Sequence, residues 1–234
     1  MFNELAPIAI LLAVVTFVIA RLPKIELGHT SEFRRRRVMN WLPLGLTYAF
    51  LYMGRYNIKV SQHAFGEMKN TLGEPMMANA DFANIFMWGT ITYGVSFLIN
   101  GPLTDRYGGK LAIIIGAGGS ALCNLLMGLA TWSLTSKADS APWVMDNFLM
   151  LFSVLYAANM YFQSFGAVAI VKVNAPWFHV RERGVFGAIF GILISLGVYF
   201  AFDWGYFIIK NFSLEMVFLI PTALLAIFWF IDLF

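Results

Sequence analysis

The chain has 234 residues, 59% hydrophobic, 17% aromatic and 12% charged, with a formal net charge of +3 and a mean hydropathy of +0.71. A soluble domain carries roughly twice that charged fraction, so this chain cannot cover itself with polar surface in water and belongs in a bilayer. One cysteine, Cys123, excludes a disulfide framework and a cysteine-cluster metal site; His29, His63 and His179 are too scattered to suggest a ligand set, and so apolar a chain leaves no soluble basic face for nucleic acid.

A helix crosses the ~30 Å hydrocarbon core in about 20 residues. Seven apolar runs of that kind, bounded by charge, follow in order at approximately 5–22, 38–65, 81–103, 110–134, 143–173, 185–209 and 214–234. Strand-like alternation is absent, so the expectation is an all-α membrane protein rather than a barrel. The first run opens on Met1-Phe2-Asn3-Glu4, lacks a positive leading region and is followed by no Ala-x-Ala site, so it reads as a true span and not as a signal peptide. The expected organisation is an extra transmembrane helix at 1–24, a basic cytoplasmic linker at 25–37 and a six-helix unit at 38–234.

Lys and Arg are unevenly shared between the loops. With the loop after the first run placed in the cytoplasm, that face holds ten: Arg21, Lys24, Arg34 to Arg37, Arg106, Lys110, Arg181 and Arg183. The opposite face holds four, Lys59, Lys69, Lys137 and Lys210, while Arg55 and Lys172 fall within spans. The positive-inside rule then puts the N-terminus outside, and the arginine run reads as a topology anchor against anionic lipid.

In the second run, Tyr48, Tyr52, Arg55 and Lys59 recur at i, i+4, i+7 and i+11 and share one helix face. Arg55 lies about 21 Å along the helix from Trp41 at 1.5 Å per residue. An arginine there costs several kcal/mol unless it meets a wet cavity or a partner, and this helix offers no acidic partner. A ligand anion would solve the problem, since guanidinium meets phosphate in bidentate geometry beside tyrosine hydroxyls. The alternative is that Arg55 and Lys59 snorkel outward and the tyrosines form an aromatic belt.

Between the third and fourth runs stands the charged hairpin Gly101-Pro-Leu-Thr-Asp105-Arg106-Tyr-Gly108-Gly109-Lys110. Gly101 would let another helix approach closely, Asp105 would meet a positive helix N-terminus, and the basic residues would bridge to carboxylates. Farther on, Gly116 to Ser120 reads as packing and Lys172 as a snorkelling lysine. The stripe Gly187, Gly191 and Ser195 is either a sliding surface or internal packing. Asp203 reads as a solvated or capped carboxylate, with a proton site as the alternative.

The hairpin resembles the G-x-x-x-D-[RK]-x-G-[RK]-[RK] signature of the major facilitator superfamily, with Gly109 where that family has a basic residue. Tyr48, Tyr52 and Arg55, together with Phe162-Gln163-x-x-Gly166, Trp177-Phe178 and Arg181-Glu182-Arg183-Gly184, are similar to the organophosphate:phosphate antiporters, the group of glycerol-3-phosphate and hexose-phosphate transporters. The resemblance covers roughly residues 36–234. It implies a six-helix N-terminal half preceded by one extra helix, substrate contacts at Arg55, Tyr48, Tyr52, Lys59 and Gln163, and a gating latch at Gly101, Asp105, Arg106 and Lys110. Phe97 and Ile194 stand where those antiporters carry a Lys and a His. Lys59 is a candidate replacement for one of those charges.

The implied activity is exchange of an organic phosphate for inorganic phosphate by alternating access, in a bacterial inner membrane, with a C-terminal six-helix half from the same or another chain as partner. The end at Phe234 without a charged central loop favours a truncated chain. A non-transporting sensor or scaffold of the same fold is the alternative, favoured by Phe97 and Ile194. No enzyme constellation assembles in the spans, and no cofactor or metal is implied.

Overall fold

The computed structural model describes residues 28–234 and, before them, Ala13, Val14, Phe17 and Arg21. The expected first span, its outward N-terminus and the start of the linker otherwise lie outside the described residues.

The first long helix, α1 (Ser31–Glu67), begins seven residues ahead of the apolar run expected at 38. Thr30 caps it, its Oγ1 accepting a hydrogen bond from the Phe33 amide at 3.2 Å, and Glu32 stands in the first turn. Arginine is a good helix former, so the basic stretch Arg34 to Arg37 continues the helix instead of forming a linker. Helices α2 (Asn79–Tyr107) and α3 (Gly109–Ser136) meet in the tight turn at Gly108, whose φ of 91° suits a residue without a Cβ. The run expected at 143–173 is divided into a short helix, α4 (Ala141–Asp146), and α5 (Phe148–Asn174). Helix α6 (Arg183–Tyr199) passes through a π-helical segment (Phe200–Trp204) into α7 (Gly205–Asn211), and α8 (Met216–Asp232) follows.

Among the described residues, four helical stretches are long and apolar enough to cross a membrane: Asn79–Tyr107, Gly109–Ser136, Phe148–Trp177 and Val180–Asn211. Helix α1 is longer than any of them but interrupts its apolar residues with Asn40, Pro43, Arg55, Asn57 and Lys59. Helix α8 is apolar and 17 residues long. Among the described residues no strand forms beyond an isolated bridge between Lys69 and Pro75.

Helix α5 packs against α2 and α3 and crosses α1, while α1 also rests on α6 and α8. The close approach of α3 and α5 follows from small residues: a Cβ on Gly116 would stand 3.0 Å from the Gly166 amide nitrogen and the Phe162 carbonyl oxygen. One end of the bundle is closed by the buried rings of Phe65, Phe148, Phe152 and Phe218. Farther along the bundle, α1, α2, α3 and α5 converge around polar side chains.

Candidate functional site

Helical spacing carries Tyr48, Tyr52 and Arg55 to the interior side of α1. Arg55 is 8% exposed, and its Nε donates to Gln163 Oε1 of α5 at 2.8 Å. Its guanidinium carbon lies 4.6 Å from the Tyr52 ring centroid and 4.4 Å from that of Tyr93 on α2. Tyr48 meets Tyr52 edge-on at 5.3 Å. Behind the arginine, Tyr156 Oη donates to the Arg55 carbonyl at 3.1 Å and pins the backbone.

This environment leaves the charge undercompensated. Two cation–π contacts contribute about 0.5 to 2 kcal/mol each, and the partners of the five N–H groups are neutral, the Gln163 amide and the Tyr93 hydroxyl. Among the described residues no carboxylate forms an ion pair with Arg55. Its Nη2 is buried with no hydrogen-bond partner. A buried cation with an idle donor is costly, and an oxyanion placed against the Nη edge would satisfy both deficits at once.

The structure thus brings Arg55, Tyr48, Tyr52 and Gln163 together, but not Lys59. Lys59 lies one turn beyond Arg55, where it is exposed; its Nζ donates to Gln62 Oε1 at 3.1 Å and stands 4.6 Å from the Phe82 ring. Its side chain reaches toward the α1 terminus and the start of α2, so it replaces no charge beside Arg55. Tyr93 is the residue that sequence reasoning missed. It lies one turn before Phe97, which it meets edge-on at 4.8 Å, and a polar aromatic one turn from the position where the antiporters carry a lysine was the available signal.

The residues expected to form a gating latch lie at the basic end of the bundle. Gly101 has nothing within 4 Å of where a Cβ would stand, so it mediates no close approach among the described residues. That role falls to Gly109, the position that departs from the signature: a Cβ there would lie 2.6 Å from Val173 Cγ2 and 3.1 Å from the Val173 nitrogen. Among the described residues Asp105 accepts no hydrogen bond from a helix N-terminus; it accepts from Lys172 Nζ of α5 at 2.6 Å, so Lys172 is an ion-pair partner rather than a free snorkelling side chain. Lys110 Nζ donates not to a carboxylate but to the Leu233 carbonyl at 2.8 Å, tying α3 to the end of α8. Arg106 is exposed, with its guanidinium 5.5 Å from the Tyr107 ring.

The arginine run is split by its surroundings. Arg34, Arg35 and Arg36 are exposed, with Arg36 paired to Glu32 at 2.7 Å. Arg37 turns inward: its Nη1 donates to both carboxylate oxygens of Glu182 at 2.9 and 3.0 Å, over the Phe178 ring at 4.8 Å. Nearby, Arg36, Asn40, Lys110, Trp177 and Asp232 help to line a cavity of about 460 Å³, which includes none of the Arg55 cluster. On α6, Gly187 and Gly191 have no neighbour within 4 Å of a built Cβ, so among the described residues that stripe packs against nothing. Asp203 is exposed.

The profile described as Major Facilitator Superfamily matches residues 44–234, and the chain belongs to this family. It is 24% identical over 174 residues to the membrane sensor protein UhpC of Escherichia coli (strain K12), covering 74% of this chain and 34% of that protein. It is also 24% identical over 185 residues to the glycerol-3-phosphate transporter of Bacillus subtilis (strain 168), covering 74% of this chain and 37% of that protein. The chain thus spans about a third of the length of these curated relatives. No solved structure gives a significant match.

Proposed function

We propose that this chain forms one half of a secondary transporter that exchanges an organic phosphate, a sugar phosphate or glycerol phosphate, for inorganic phosphate. The observation that carries the proposal is the buried Arg55 guanidinium, framed by Tyr52 and Tyr93 and held by Gln163, with Nη2 lacking a partner. The similarity to a glycerol-3-phosphate transporter supports the substrate class. Alternating access needs a second six-helix half, in the same polypeptide or another. The open faces of Gly187 and Gly191 on α6 and Gly94 and Gly101 on α2 are suited to close contact with that half. The hairpin from Gly101 to Lys110 is the proposed cytoplasmic latch, the membrane is the bacterial inner membrane, and the N-terminus lies outside.

A second reading, a phosphate-ester sensor that binds without transporting, is favoured by one observation. Lys59 stands apart and Phe97 lies against Tyr93, so Arg55 is the sole cation of its cluster among the described residues. Similarity to a membrane sensor protein agrees with it. Equilibrium binding of labelled glycerol 3-phosphate to the purified chain joined with its second six-helix half, with inorganic phosphate as competitor, tests what both readings share. Competitive binding is expected, and no binding of either anion would refute both.

A further inference from the structure

Three side chains of α5, Tyr156, Asn159 and Gln163, fall at i, i+3 and i+7 and so share one face. All three are fully buried and meet α1 at Gly54 and Arg55. Tyr156 holds the Arg55 carbonyl and Gln163 holds Arg55 Nε. Asn159 touches neither atom of Arg55, yet it connects to both sides of that residue. Its Nδ2 donates to the Gly54 carbonyl at 3.0 Å, and its Oδ1 accepts from Gln163 Nε2 at 3.2 Å, Ser120 Oγ at 2.5 Å and Asn124 Nδ2 at 3.2 Å.

We propose that Asn159 is the positioning residue that orients Gln163 and so presents the Nη edge of Arg55 to the ligand. A glutamine amide has a donor side and an acceptor side. With Nε2 held by Asn159 Oδ1, the carbonyl oxygen is the atom left to face Arg55 Nε. The reversed amide would set donor against donor at Arg55 and acceptor against acceptor at Asn159. Once Nε is engaged and the two tyrosine rings stand against the guanidinium, the Nη edge remains for an oxyanion, and Nη2 is the atom without a partner. The second bond of Asn159, to the Gly54 carbonyl, fixes the height of Arg55 along α1 relative to α5. Gly54 also lets Asn124 of α3, a donor to Asn159 Oδ1, lie close to α1, since a Cβ there would stand 2.9 Å from Asn124 Nδ2.

This inference rests on Arg55 as the anion site, and its test is made without ligand. In protein labelled with 15N-arginine in detergent, the Nε–H resonance of Arg55 is assigned by its absence in Arg55→Lys. The wild type should show it protected from exchange. Asn159→Leu, which keeps the bulk and loses the amide, should accelerate that exchange at least tenfold. Asn159→Ala, which removes both amide bonds without adding bulk, should accelerate the exchange in the same way, so it carries the test if the leucine variant does not fold. Phe152→Leu, which loosens the aromatic end of the core, should lower the melting temperature and leave the resonance unchanged. Wild-type protection in Asn159→Leu or in Asn159→Ala would overturn the positioning role. Failure of labelled glycerol 3-phosphate to bind the wild type would instead refute the functional reading, and the resonance would still decide the role of Asn159.

Discussion

Arg55→Lys separates a phosphate clamp from a surface-seeking cation. The substitution keeps one positive charge and removes three things: the Nε bond to Gln163 at 2.8 Å, the flat face stacked at 4.6 and 4.4 Å from two tyrosine rings, and the paired Nη donors. A lysine ammonium bonds an anion as a point charge and brings no fixed fork to it. Hydrogen bonds to charged groups contribute about 1.5 to 3 kcal/mol each. Because part of that is recovered by the ammonium, a net loss of about 1 to 3 kcal/mol is expected, or about 5- to 150-fold in Kd. The assay is equilibrium binding of labelled glycerol 3-phosphate to purified wild type and variant, each joined with the second six-helix half, with melting temperatures compared to establish that both fold. If Arg55 merely snorkels, lysine serves as well. Wild-type affinity in Arg55→Lys would therefore refute the clamp.

Further substitutions test the surrounding structure. Gly109→Ala places a Cβ 2.6 Å from Val173 Cγ2 and against the α5 backbone, so thermal unfolding in detergent should show a loss of about 1 to 3 kcal/mol; Gly101→Ala, with open space around it, should stay within about 0.5 kcal/mol or gain slightly. Glu182→Ala strands Arg37, whose side chain is 18% exposed, and should cost about 1 to 3 kcal/mol in the same assay, less than a fully buried pair, whereas Arg34→Ala should be neutral. Asp105→Asn breaks an exposed pair with Lys172 and should change stability by at most about 1 kcal/mol; a large loss would mean that the hairpin is a structural anchor. For topology, a cysteine at Asp139 should react with impermeant thiol reagents from outside the cell and one at Arg106 should not, with Cys123 silent because it is buried.

Residue spacing went far in this chain where one helix decides the outcome. The apolar runs from residue 38 onward fall on helical stretches, four of them long and apolar enough to cross a membrane, although the run at 143–173 is divided between α4 and α5, and the i, i+4, i+7 pattern put Tyr48, Tyr52 and Arg55 on one face. Spacing on one helix cannot say which residues of another helix oppose that face, and so Tyr93 was missed. It also cannot say how far along the face a site extends, and so Lys59 was included although its side chain reaches Gln62 and Phe82. The early start of α1 escaped a hydropathy count because the added residues are basic, although Thr30 and Glu32 are good starting signals. Gly109 shows the limit of a signature: its place in a motif marked it as a departure, while the structure gives it the close contact assigned to Gly101. Arg37 was placed with its three neighbours because charge alone does not reveal which of four adjacent arginines turns inward.

The central claim is that this fold moves phosphate esters around Arg55, and exchange across a membrane tests it most directly. The chain, joined with its second six-helix half, is reconstituted into proteoliposomes loaded with labelled inorganic phosphate, and glycerol 3-phosphate or a hexose phosphate is added outside. The account predicts efflux of label that depends on the external ester and is largely lost in Arg55→Lys at equal protein. Binding of the ester with no efflux above empty liposomes would contradict transport and leave the sensor reading in its place.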